Sequence, residues 1–250
     1  MSSKTAYRST PLFDGALVCD LPDKFADVRY DMHLPCATGG RASIAQLAIQ
    51  ALSPTAQPRS LPPTPNKQVP LLTRPGDSKL RQVPDNQEVY IDKDGFTSII
   101  FDITERVGPA GSDLEGDGRA LTTHLEELVG DDVDTVKVWN TTETQFTRLS
   151  GNIPAYTLIA TQTPRSETRE SQRAAAPDFT ALILTLVRLE KESTDILITI
   201  NVPHIKGEYD EDEIDLALGK QGELIGDAVE YAAKIWESFE VRDWNLFSQV

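Results

Sequence analysis

The chain has 250 residues and a mass of 27.6 kDa, with 39% apolar and 25% charged residues. That composition supports a single core of ordinary size and excludes disorder throughout. Acidic residues outnumber basic ones 39 to 24, a net charge of −15, which repels phosphate backbones, argues against nucleic acid as a partner and favours a basic protein surface.

No apolar run is long enough for a membrane helix, so no membrane partner is expected. The opening MSSKTAYRSTPLF has no apolar stretch of the signal-peptide kind, so no secretory leader is expected. With only Cys19 and Cys36, no disulfide framework is expected, and a reducing compartment follows: nucleus or cytoplasm.

The first predicted element is a strand over 15–21 (GALVCDL), closed by Pro22. Residues 23–28 suit a short helical turn. The character then changes. Residues 30–79 hold 8 of the 16 prolines and no aromatic after Tyr30. Two acids face five bases there, a net of +3, which leaves −18 on the other 200 residues. Proline removes ladder donors and helix hydrogen bonds, so 54–75 is expected to be extended. Residues 43–52 offer at most a marginal helical turn or two. The window is an insertion within one domain spanning 1–250, expected to be disordered.

Beyond it, 88–91 and 96–103 are β-rich runs around Asp94-Gly95, a hairpin signal. Residues 108–118 are expected to be a loop. A helix over 119–129 follows, with Leu121, Leu125, Leu128 and Val129 on one face and Gly130 as its stop. Strands are expected at 133–139 and 155–163, with a polar basic loop at 164–177. A second hairpin pairs 179–189 with 195–202. Spacings of three and four from Ile214 to Phe239 predict a closing amphipathic helix, strongest after Leu224 because Gly219, Gly222 and Gly226 weaken its start. Seven strands joined mostly as hairpins, with segregated helices, give an α+β class with a mainly antiparallel sheet.

Few constellations suggest chemistry. Asp113, Glu115 and Asp117 begin like a calcium loop, but its twelfth position is His124. Asp92-x-Asp94-Gly95 is better read as a turn. The glycines of 108–118 lack the Lys-Ser/Thr of a phosphate loop. His33, His124 and His204 are scattered and predict no metal site, and no cofactor is expected. Asn140-Thr141-Thr142 is a sequon without a secretory route. The acidic run 208–215 (EYDEDEID) suits a solvated turn leading into the last helix, or a patch for a basic partner.

The most distinctive string is LRQVPDNQEVY, 80–90. Asp85 and Glu88 stand three apart after Pro84, as an N-cap and its reciprocal acid would. Val89, Tyr90 and Ile91 follow at once, which favours a strand. A polar stretch entering a strand holds its carboxylates at the sheet margin, within reach of a partner; a turn and a binding site both fit.

At this string the chain resembles the Ran guanine nucleotide release factor family, the Mog-type proteins. Residues 83–89 (VPDNQEV) match the family motif without change, and Pro11-Leu12-Phe13-Asp14-Gly15-Ala16 resembles its opening, with Asp14 in place of a glycine. Asp27-Val28 and the strand 194–203 ending in Asn-x-Pro also match. In the family the Asp-Val step lies only a few residues before the motif; here residues 30–79 intervene, as a lineage-specific loop or as a retained intron translated in a gene model. Sequencing the transcript separates the two.

The resemblance implies a central, mainly antiparallel sheet flanked by helices, an α/β/α sandwich similar to PsbP subunits. It implies a non-catalytic protein, monomeric here, that binds the GTPase Ran, promotes release of its guanine nucleotide, holds the empty form and acts in nuclear import. Asp85 and Glu88 are then expected as charged anchors for Ran, joined by Asp27, with Asn86 and Gln87 as hydrogen-bond contacts and Arg81 orienting them or facing the partner. The rival readings are a PsbP-like extrinsic subunit, an interaction scaffold without exchange activity, and a hydrolase using Asp85 and Glu88 as acid and base.

Overall fold

A computed structural model describes residues 5–28, 83–109, 111, 113–164 and 177–249. The inserted window, residues 30–79, and Arg81 lie outside the described residues, as does Cys36.

The chain opens with strand β1 (Tyr7–Leu12), a three-residue turn, and strand β2 (Leu17–Pro22). A short strand β3 (Phe25–Asp27) precedes the window, and β4 (Gln87–Asp92) and β5 (Ser98–Glu105) follow it. Helix α1 (Leu114–Val129) leads to β6 (Val136–Glu143), β7 (Ala155–Gln162), β8 (Phe179–Leu189) and β9 (Thr194–His204). The two-residue strands β10 (Ile214–Asp215) and β11 (Lys220–Gln221), helix α2 (Gly222–Ser238) and β12 (Glu240–Val241) complete the order.

Seven strands form one sheet in the order β3-β4-β5-β9-β8-β7-β6, and every neighbouring pair is antiparallel. A small sheet, β1-β2-β12, stands apart from it. The central strands β8 and β9 are apolar on both faces because both faces are covered. On one face α1 buries Ala120, Leu121, Leu125 and Val129 against Leu158, Ala160, Leu182, Leu184 and Leu186. On the other, Ile225, Ala228, Tyr231, Ala232 and Ile235 of α2 pack with Leu17, Cys19 and Leu21 of β2 against Ile183, Val187, Ile196, Ile198 and Ile200. Each fully buried Leu, Ile or Phe contributes about 1.5–3 kcal/mol. The layering is the expected α/β/α sandwich.

The hairpins and the α+β class stand as expected; several local elements differ. The 23–28 segment is a turn followed by strand β3, because Phe25 pairs across from Asp92 and buries its ring. Strand β1 carries Pro11 and has no sequence-level strand signal, yet an edge strand tolerates proline. Helix α1 begins at Leu114, five residues before the predicted start, inside the expected loop; the Asp113 carboxylate caps it by accepting from the Gly116 N–H at 2.6 Å. The strand expected at 133–139 begins at Val136, behind a 3-10 stretch. The closing helix does not reach back to Ile214. Gly219 (φ 77°) and Gly222 (φ 67°) are left-handed, and a Cβ at Gly222 would sit 2.9 Å from Ile214 Cγ1.

Candidate functional site

The 83–89 motif runs from a turn into β4, so its side chains end in three places: the turn, and the two faces of the strand. Pro84 accepts a hydrogen bond from the Gln87 N–H at 3.0 Å, closing the turn. Asp85 sits on that turn, exposed. Asn86 and Gln87 face Asp102 of β5: Asn86 Nδ2 donates to Asp102 Oδ1 at 2.8 Å and to the Ile103 carbonyl at 3.0 Å, and Gln87 Nε2 donates to Asp102 Oδ2 at 2.7 Å. Asn86 and Gln87 are expected as hydrogen-bond contacts for a partner, and their amide nitrogens are engaged inside the chain. Burial pushes the Asp102 carboxyl above its usual range, opposed by the Gln87 hydrogen bond and by His124.

Glu88 corrects the expectation that both motif carboxylates lie at the sheet margin. Its position places it on the α2 face beside Tyr90, and it is 0% exposed. Its Oε1 accepts from the Phe13 N–H at 2.6 Å and its Oε2 from the Tyr90 hydroxyl at 3.0 Å. Burial, and then the Glu88 charge, push the Tyr90 hydroxyl well above its ordinary value. The Cys19 thiol is pushed up by burial first and by the charges of Asp20 and Glu88 next, so it is an inert core residue.

The backbone that Glu88 grips is unusual. Phe13 (φ 49°), Asp14 (φ 55°) and Gly15 (φ 88°) are three consecutive left-handed residues joining β1 to β2. A left-handed L-residue costs about 1–2 kcal/mol, and two of these three carry side chains. The cost is offset where Phe13 buries its ring in the core, where the Ala16 N–H donates to the Phe13 carbonyl at 3.1 Å, and where Glu88 takes the Phe13 N–H. Asp14 is left at the surface on this turn. Asp27, at the end of β3, pairs across from Tyr90 and is half-buried.

Beneath α1 lies a second polar cluster that no sequence signal named. Arg188 Nη1 donates to Asp117 Oδ1 at 2.7 Å and Nε to Asp195 Oδ1 at 3.1 Å. Asp195 Oδ2 meets His124 Nε2 at 2.9 Å and accepts from the Val107 N–H at 3.0 Å. The Tyr156 hydroxyl donates to Asp117 Oδ2 at 3.1 Å, and Arg188 Nη2 donates to the Val107 carbonyl. Arg188, Asp117, Asp195 and His124 are all at most 2% exposed. The cluster ties α1 to β7, β8 and β9 and is closed to substrate, so it braces the layers. In the sequence Arg188 stands inside the apolar run of β8 and Asp195 near the start of β9, but only the strand register sets them directly opposite one another.

The remaining candidates resolve locally. His204 is fully buried, stacked on Phe179 at 4.1 Å, and burial lowers its imidazole below the ordinary 6.5. His33 lies outside the described residues, and among those described no cluster of His, Cys, Asp and Glu could hold a metal ion. In the acidic run, Asp210 and Asp215 cap short 3-10 turns by accepting from the Asp212 N–H at 3.0 Å and the Leu218 N–H at 3.1 Å. The run therefore ends in turns and β10, not at the start of α2.

Comparison with known proteins bears on the same residues. A family described as "Ran-interacting Mog1 protein" matches residues 76–203, which contain the motif, strands β4 to β8 and all of β9 but its last residue. A Dictyostelium discoideum protein named "Probable ran guanine nucleotide release factor" is 31% identical over 129 residues, 48% of this chain and 60% of that relative's length. The crystal structure of the Saccharomyces cerevisiae Ran-binding protein Mog1p superposes with a TM-score of 0.56 at 21% identity, covering 98% of this chain and 100% of that one. A mutant of Mog1 superposes with a TM-score of 0.55, also at 21% identity, covering 97% and 99%. Both structural likenesses show the same fold.

Proposed function

This chain belongs to the family of Ran-interacting Mog1 proteins, and from that premise we propose that it binds the small GTPase Ran and promotes release of its guanine nucleotide, serving nuclear protein import from the nucleus and cytoplasm. The observation that carries the proposal is Asp85. It is exposed on a turn that the Pro84–Gln87 bond closes and that Asp102 anchors through Asn86 and Gln87. A carboxylate held this way keeps its position before the partner arrives, so little ordering cost falls on binding.

The mechanism uses affinity alone. A protein that binds empty GTPase more tightly than loaded GTPase must weaken nucleotide affinity by the same factor. A fixed carboxylate achieves that by pairing with a basic group that would otherwise hold phosphate, or by disturbing the magnesium that bridges phosphate oxygens. The net charge of −15 speeds encounter with a basic surface. The chain works as a monomer in this scheme.

The test is release of a fluorescent guanine nucleotide from Ran, with and without this protein. Wild type accelerates release, and Asp85→Lys lowers the effect on the order of tenfold or more, because a like charge now faces the basic partner. Unchanged release by a folded Asp85→Lys variant would retire the assignment of Asp85.

A further inference from the structure

We propose that Glu88 serves partner binding as a positioning residue: its buried carboxylate holds the left-handed Phe13–Gly15 turn and so presents Asp14, beside the motif, as a further anionic contact for the basic partner. The inference rests on the proposed Ran reading for the partner, and on the chain's own geometry for the turn.

The geometry has three parts. Glu88 has no exposed surface, so its charge does not meet a docked protein without rearrangement. Its Oε1 is 2.6 Å from the Phe13 nitrogen, the backbone group that begins the left-handed run. The run is strained at Phe13 and Asp14, and strained backbone persists only where surrounding contacts over-determine it. A charge-assisted bond to a backbone N–H is among the stronger contacts available for that purpose. Asp14 follows Phe13 directly and is exposed, while Asp85 precedes Glu88 by three residues and is exposed. One buried carboxylate is therefore bonded to the residue before one surface carboxylate and follows another by three residues, and so links two distant parts of the sequence.

Glutamine at position 88 separates positioning from direct contact. Its amide oxygen can still accept from the Phe13 N–H, and its amide nitrogen can donate to the Tyr90 oxygen, so the turn stays while the charge goes. Alanine removes both bonds. The experiment compares wild type, Glu88→Gln, Glu88→Ala, Asp14→Asn and Asp85→Lys in Ran nucleotide release, with amide NMR spectra of each variant. Asn tolerates left-handed backbone, so Asp14→Asn removes charge without disturbing the turn.

Glu88→Gln is expected to stay within about threefold of wild type, and Glu88→Ala and Asp14→Asn to lose on the order of tenfold. In Glu88→Ala the amide signals of 13–16 move while those of β8 and β9 stay. Glu88→Gln as defective as Glu88→Ala, with the 13–16 signals unmoved, overturns the proposal in favour of direct contact by Glu88. Wild-type release at full rate by Asp14→Asn overturns the role of Asp14. Should wild type fail to act on Ran at all, the Ran reading falls by itself. Glu88→Ala spectra then decide the turn alone: unmoved 13–16 signals overturn it, and moved ones uphold it.

Discussion

Replacing Arg188 with leucine probes the brace beneath α1. The guanidinium is 2% exposed and lies between Asp117 and Asp195, 1% and 0% exposed, at 2.7 and 3.1 Å. Leucine fills most of the volume but strands two buried carboxylates. Asp195 keeps His124 and the Val107 N–H, and Asp117 keeps the Tyr156 hydroxyl, so neither is wholly abandoned. Breaking a buried ion pair from one side costs about 3–5 kcal/mol, and the retained donors place Arg188→Leu near the lower figure. That is a large share of a total stability of about 5–15 kcal/mol. Urea unfolding at neutral pH, followed by fluorescence of Trp236 and its neighbours, measures it; Trp236 donates to Thr185 on the same strand as Arg188. A loss under about 1 kcal/mol, the range of a surface pair, would refute the account of the cluster as a charged brace.

Three further outcomes are expected. His204 has a folded-state value lowered by burial, so its contribution is fully present above its ordinary value of 6.5 and is lost as pH falls through the lowered value; His204→Phe, which keeps the stacking on Phe179, should flatten the decline of Tm between pH 7 and pH 5. Asp14→Gly relieves a left-handed residue and should raise stability by up to about 1 kcal/mol in urea unfolding, less what glycine's own chain entropy takes back. Asp113→Ala removes the cap of α1 and should cost about 1 kcal/mol, with exchange protection falling first at the Gly116 and Asp117 amides.

Legibility in the sequence followed the range of the forces involved. The hairpin of β8 and β9 was readable to within two residues because its apolar runs and its polar turn are local. The start of α1 was missed because the glycines at 116 and 118 resemble a loop, while the cap at Asp113 is worth only about 1 kcal/mol. Strand β3 was missed because three residues carry no period of their own, and its partner β4 lies across the inserted window. The motif at 83–89 was found as a string, and Asp85 stands exposed as foreseen. Glu88, three residues away, does not.

Composition, apolar periodicity and turn residues determined the antiparallel sheet, its helices and the acidic character of the surface, since each of those is set by neighbours along the chain. Which carboxylates face water and which face inward was decided only in three dimensions. Glu88 turns into the core because Phe13, 75 residues earlier, offers it an unpaired backbone N–H in a left-handed turn. Arg188 and Asp195 stay buried because register sets them opposite one another beneath a helix. A lone sequence carries the charge of each side chain but not the partner that stabilises it, and it is the partner that fixes whether burial is tolerated.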